Sequence, residues 1–180
     1  DRATQALERA VALAPRAPVV WAVWLAHVDQ RQPDRLEAEV AKAREHLAVV
    51  DQGRLLPGYL IKQQRPNDAK ALLEAARQQA PADPILFATL VSLLGQASHQ
   101  KPVHDRLQRL LEETLADQRG EMQACRRVAR RELARLWSAS KSYRVYREAI
   151  RLAEEAVRES DGADDDVLLQ ADVLSLHVGH

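Results

Sequence analysis

Apolar residues recur along this chain at spacings of four and then three. Ala3-Leu7-Ala10, Leu36-Val40-Ala43 and Ala69-Leu73-Ala76 are three such triplets, each 33 residues from the last, and Val103-Leu107-Leu110 follows after 34. That spacing puts every triplet on one stripe of a helix. A longer match has twice the period. Residues 7–21 align with 73–87 through Leu7/Leu73, Glu8/Glu74, Ala10/Ala76, Ala14/Ala80, Pro15/Pro81 and Pro18/Pro84, with Trp21 opposite Phe87. Pro15 and Pro81 follow the triplet helix, where a missing N–H stops it. Pro18 and Pro84 stand at the first turn of the next helix, where that donor is not needed. One unit is therefore a helix, a short turn and a second helix in about 33 residues.

The register changes after residue 117. Met122, Cys125, Val128 or Ala129, Leu133 and Leu136 predict a long amphipathic helix, and Ala149, Ala153 and Ala156 repeat the triplet after a step of 46. Ser160-Asp161-Gly162 ends that helix, and Asp164-Asp165-Asp166 is expected to cap a last one from Val167 to His177. The fold expected is all-α: ten helices in five antiparallel pairs, forming one segment over residues 1–180. The 33-residue units occupy 1–117 and divergent, longer helices 118–180.

The units resemble the tetratricopeptide (TPR) repeat. A large residue opens the first helix (Trp21, Phe87) and is followed at +3, +4 and +7 by Trp24-Leu25-Val28 or Leu90-Val91-Leu94. Small residues mark the second helix (Ala69, Ala76), Pro81 closes the unit, and Asn67 or Asp68 in the preceding turn has the chemistry of an N-cap. The sequence departs from the family where Leu25 and Val91 replace a small residue, and where Pro57-Gly58 falls inside the first helix of the middle unit and should break it. The resemblance implies a right-handed α-solenoid with a longer, HEAT-like C-terminal pair. It also implies a protein-binding concave surface lined by the first helix of each unit.

Composition narrows the function. The chain has 26 basic and 26 acidic residues, so its net charge is zero, and nonspecific binding to nucleic acid or to an anionic membrane is not expected. The longest near-apolar run, Ile85 to Gly95, is too short to span a bilayer, so no membrane insertion is expected. The single cysteine, Cys125, excludes an internal disulfide and fits a reducing, cytoplasmic setting. Starting inside a helix with no initiator Met or signal peptide, the chain reads as an excised piece of a longer protein.

No catalytic constellation emerges. Cys125 has no histidine within ten residues and shares the stripe of Met122 and Ala129, which reads as core. His99 with His104, and His177 with His180, bring no third ligand at metal spacing. No phosphate loop or nucleophile motif is present. The chain is therefore expected to be no enzyme, with no cofactor and no metal.

Candidate partner-binding residues follow from the side of each first helix that faces away from its packing stripe. They are Val19, Ala22, Ala26, Asp29 and Gln30 in one unit, Asp51, Arg54, Gly58, Ile61 and Lys62 in the next, and Ile85, Ala88, Ser92 and Gln96 in the third. The first and third sets are small and apolar, the middle one basic. Chaperone-binding members of the family clamp a terminal carboxylate at such positions with Lys, Asn and Arg. Ala22 and Ala26 stand there instead, so that clamp is not implied. A second candidate is the run Arg126, Arg127, Arg130, Arg131, Arg135, in which Arg127 and Arg131 share a face. Its like charges need carboxylates, supplied either by Glu121, Glu132, Glu148, Glu154 and Glu155 or by an acidic partner. The outer helices, apolar all round and lacking a partner, point to further repeats or to self-association through uncapped ends. The leading expectation is a protein–protein interaction scaffold. The alternatives are a self-assembling component of a secretion or envelope complex, and an accessory region of a larger enzyme.

Overall fold

In the computed structural model, which describes residues 2–176, every regular element among the described residues is helical. The chain divides into two compact units, residues 1–81 and 82–180.

The first unit contains α1 (Arg2–Leu13), α2 (Pro18–Arg31), α3 (Leu36–His46), α4 (Val49–Leu55), α5 (Pro57–Lys62) and α6 (Pro66–Gln79). Thr4 near the start of α1 bonds His27 near the end of α2 at 3.0 Å, so the two run antiparallel. Trp21, Trp24, Leu25 and Val28 put one face of α2 into the core, and Leu36-Val40-Ala43 and Ala69-Leu73-Ala76 are buried opposite on α3 and α6. These two triplets are thus packing stripes, whereas in the first triplet Ala3 is exposed with Leu7 and Ala10 half-buried, and in the fourth only Leu107 is buried. The Trp21 indole donates to the Pro15 carbonyl at 2.7 Å and pins the α1–α2 turn.

Among the described residues eleven α-helices stand where ten were expected, because Pro57 splits one in two. A proline has no N–H to continue the ladder, so α4 stops at Leu55 and the chain restarts as α5 at Pro57. The restart moves the core by about one position: Leu56, Pro57 and Leu60 are buried, where strict 33-residue spacing would place Arg54 and Ile61. Neither Asn67 nor Asp68 caps α6. Arg65 is the N-cap residue, Pro66 opens the helix, and Asp68 accepts from Arg65 Nε at 2.6 Å instead.

The second unit contains α7 (Pro84–Gln96), α8 (Lys101–Ala116), α9 (Gln123–Ser138), α10 (Tyr143–Glu159) and α11 (Asp164–Ser175). Phe87, Leu90, Val91 and Leu94 form the core face of α7 and match their counterparts on α2. Cys125, Ala129 and Leu133 bury one face of α9 against α7, α8 and α10, so Cys125 is a core residue. Ala149, Ala153 and Ala156 are buried on α10, and the Tyr146 hydroxyl, at its start, donates to the Val173 carbonyl at 3.2 Å. That bond ties the start of α10 to the end of α11 and makes this pair antiparallel. The last helix begins at Asp164, so the three aspartates lie in its first turn and Ala163 is its N-cap residue. His177 and His180 lie outside the described residues.

The two copies of the 66-residue match differ at one cap. Asp83 accepts from the Ile85 and Leu86 N–H groups at 2.9 and 3.1 Å, whereas its counterpart Ala17 has nearly the same backbone (φ −89, ψ 111 against φ −74, ψ 113) and no cap. Asp83→Ala should cost about 1 kcal/mol, and Ala17→Asp should gain up to a similar amount by giving the Val19 N–H an acceptor, Val20 N–H already bonding the Ala17 carbonyl at 3.1 Å. Urea unfolding of the two variants checks both signs.

Candidate protein-binding surfaces

On α2 the buried stripe fixes what faces out. Opposite Trp21, Trp24, Leu25 and Val28 lie Val19, Val23, Ala26 and Gln30, with Val19 and Val23 more than half exposed. Ala22 and Asp29 are half-buried at the edge nearer α5. There Lys62 Nζ reaches Asp29 Oδ2 at 2.5 Å, so two of the candidate residues, 33 positions apart, meet. The Asp29 hydrogen bond raises the Lys62 pKa, against the opposing effect of desolvation. Burial and the Asp29 charge push the nearby Tyr59 hydroxyl up as well. Arg54 is exposed with its guanidinium 3.7 Å from Asp51. The middle surface is therefore charge-balanced, each base facing an acid, where the sequence alone read it as basic. Val23 is the residue that reading missed; it stands four after Val19 on the same outward stripe.

The second unit repeats part of this arrangement. Ser92 and Gln96 are exposed on α7 in line with Ile85, which is 57% exposed. These positions are the 66-residue counterparts of Ala26, Gln30 and Val19. Each of the two helices thus presents a narrow strip of small apolar and amide side chains.

The arginine run is mostly committed within the fold. Arg131 donates through Nε and Nη2 to the two carboxylate oxygens of Asp166 at 2.5 and 2.6 Å, and Asp166 is only 1% exposed. Burial pushes the Asp166 carboxyl up, but hydrogen bonds from Arg131 and Ser160 and the charges of Arg131 and Arg135 outweigh it, and the pKa ends below the ordinary value. Arg130 pairs with Glu155 and Glu159, and Arg135 with Glu132. Arg126 donates to the Asp117 and Arg119 carbonyls at 2.6 and 2.8 Å, closing the α8–α9 connection. In the same loop, the Arg119 side chain and backbone hold the Asp117 carboxyl at about 2. Of the expected acids, Glu132 and Glu155 serve; Glu121 pairs with Arg119 and Glu148 with Arg151. Arg127 remains exposed on α9. Arg131 is not available to a partner.

One buried acid had no sequence signal. Glu39, 4% exposed, accepts from the Trp24 indole at 2.8 Å and from Lys42 at 2.8 Å, and Arg35 lies 3.4 Å away while also covering the Trp24 ring. Burial raises the Glu39 pKa, but the Lys42 and Trp24 hydrogen bonds and the Lys42 and Arg35 charges leave it lowered overall. In the second unit, His104, Leu136 and Trp137 line an open cavity of about 390 Å³, leaving the Trp137 ring half-buried.

Among the described residues no group of three His, Cys, Asp or Glu is placed to hold a metal, and no helix is long and apolar enough to cross a membrane. Comparison with known proteins found no family model that matches the chain and no curated protein that matches it.

Proposed function

We propose that this chain is a non-enzymatic, TPR-like interaction segment, part of a right-handed α-solenoid, that binds protein segments along the outward faces of its first helices. The observation that carries this reading is the exposed strip Val19-Val23-Ala26-Gln30 on α2, beside the Asp29–Lys62 bridge. Small side chains let a bound backbone approach the helix closely, and the Gln30 amide offers a peptide group both a donor and an acceptor. The balanced charges of Asp29/Lys62 and Asp51/Arg54 favour an apolar or neutral segment over a highly charged one. The bridge holds the edge of the strip in place, in the manner of a polar rim around an apolar centre.

Selection from a displayed library of random linear peptides tests this. Enriched sequences should be apolar and close to neutral. Their affinity should fall at least about tenfold in Ala26→Arg, which fills the strip with a long charged side chain, the equivalent of about 1.4 kcal/mol. They should bind Arg127→Ala as they bind the wild type. Enrichment of strongly acidic peptides that depend on Arg127 would favour the arginine face of α9 instead.

A further inference from the structure

Two helices expose faces of opposite character. On α1, the side turned from α2 carries Arg2, Arg9 and Leu13, with Arg16 just beyond the helix, and Leu13 is 86% exposed. Glu8, the one acid over residues 2–16, is drawn to Arg35 at 3.2 Å, so the outward face is basic around a single large apolar side chain. It is not apolar all round, as its composition suggested, and α1 does have a partner in α2.

The opposite holds on α11. Asp166, Leu169 and Val173 face the core, and Val167, Leu168 and Leu174 project outward at 45%, 62% and 44% exposure. Over residues 160–176 there are five acids and no Lys or Arg. Asp166 is neutralised by Arg131, while Asp164, Asp165 and Asp172 are exposed around the leucines. A cluster of exposed leucine and valine on one helix face is more than scattered surface hydrophobicity. Its acidic border discourages pairing with itself and suits a basic counterpart.

We infer that the occupant of the α11 face is a second copy of this chain, which docks its α1 face there in head-to-tail order. Leu13 of one copy packs among Leu168 and Leu174 of the next, and Arg2, Arg9 and Arg16 meet Asp164, Asp165 and Asp172. Because the two faces differ, the contact is heterologous: each copy keeps one face free and chains can grow. The surface is separate from the α2 strip, so peptide binding and self-association succeed or fail independently.

Two variants test the inference. The first, Arg9→Glu with Leu13→Glu, disables the α1 face; the second, Leu168→Lys with Leu174→Lys, disables the α11 face. All four positions are exposed, and circular dichroism checks that the helices are retained. In sedimentation equilibrium at low salt, the wild-type mass should rise above 20.2 kDa with concentration, and each variant alone should stay at 20.2 kDa. An equimolar mixture of the two variants should give a discrete dimer and nothing larger, since one live face of each kind remains. Added salt should weaken the association as its charges are screened. A wild type that stays monomeric up to about 1 mM would overturn the inference. So would self-association of the first variant alone, which would mean that α11 pairs with α11.

Discussion

Trp24→Ala is expected to destabilise the first unit by about 4 kcal/mol, the upper range for removing a buried aromatic ring. Trp24 is 1% exposed on the core face of α2, so truncation leaves a cavity in a closely packed site. It also removes the indole donor from Glu39, an acid that is itself 4% exposed. Trp24→Phe separates the two contributions. The ring volume largely survives and only the N–H is lost, while Lys42 and Arg35 still attend the carboxylate. The loss should then be closer to about 1–2 kcal/mol. Hydrogen exchange should place the loss in residues 2–81, with α2 and α3 opening first. A Trp24→Ala midpoint within about 0.5 kcal/mol of wild type would mean that this ring is not in the core.

Arg131→Ala is the second large effect, about 3 kcal/mol, because it leaves a buried carboxylate uncompensated. Both Asp166 oxygens lose their guanidinium partner, and Ser160 with the more distant Arg135 charge remains. The double variant Arg131→Met with Asp166→Leu should recover most of the loss, since replacing both partners leaves no buried charge. The pH dependence has a definite sign. In the wild type the Asp166 pKa is held below its ordinary 3.8, so its contribution is complete above about pH 4 and disappears as the pH falls through the lowered value. In Arg131→Ala, burial without the guanidinium raises that pKa, and protonation relieves the strain. The gap between the two proteins should therefore shrink as the pH falls from neutrality through the raised pKa, where the unpaired carboxyl takes up its proton. A gap that is constant from pH 7 to pH 3 would show that the ion pair contributes nothing.

What could be read from the sequence was what repeats. The triplets Leu36-Val40-Ala43, Ala69-Leu73-Ala76 and Ala149-Ala153-Ala156, and the Trp21-Trp24-Leu25-Val28 set with its counterpart at Phe87, occupy the core because helical periodicity decides which face they share, whereas Ala3-Leu7-Ala10 on α1 stays at the surface. Pro57 announced the break, since a missing N–H is a local property. Its consequence, a core displaced to Leu56 and Leu60, was not legible, because the register after a restart depends on how α5 settles against α6. The buried acids were hidden for a different reason. Glu39 and Asp166 look like any solvent-facing carboxylate, and the partner of Asp166 lies 35 residues away on another helix. For the same reason, the sequence offered intramolecular acids for the arginines of α9 but did not name Glu159 and Asp166, the partners of Arg130 and Arg131. The candidate strip on α2 fell between these cases. Ala22, Ala26, Asp29 and Gln30 were legible as the non-packing side, whereas the Asp29–Lys62 bridge that cancels the charge needed the fold.

The most direct test of the interaction reading is an amide chemical-shift titration of the ¹⁵N-labelled chain with an enriched neutral peptide. Saturable shifts should concentrate at Val19, Val23, Ala26 and Gln30 of α2 and extend to Lys62 on α5. Shifts confined instead to Arg127 and its neighbours on α9, or to the cavity at His104 and Trp137, would contradict that reading.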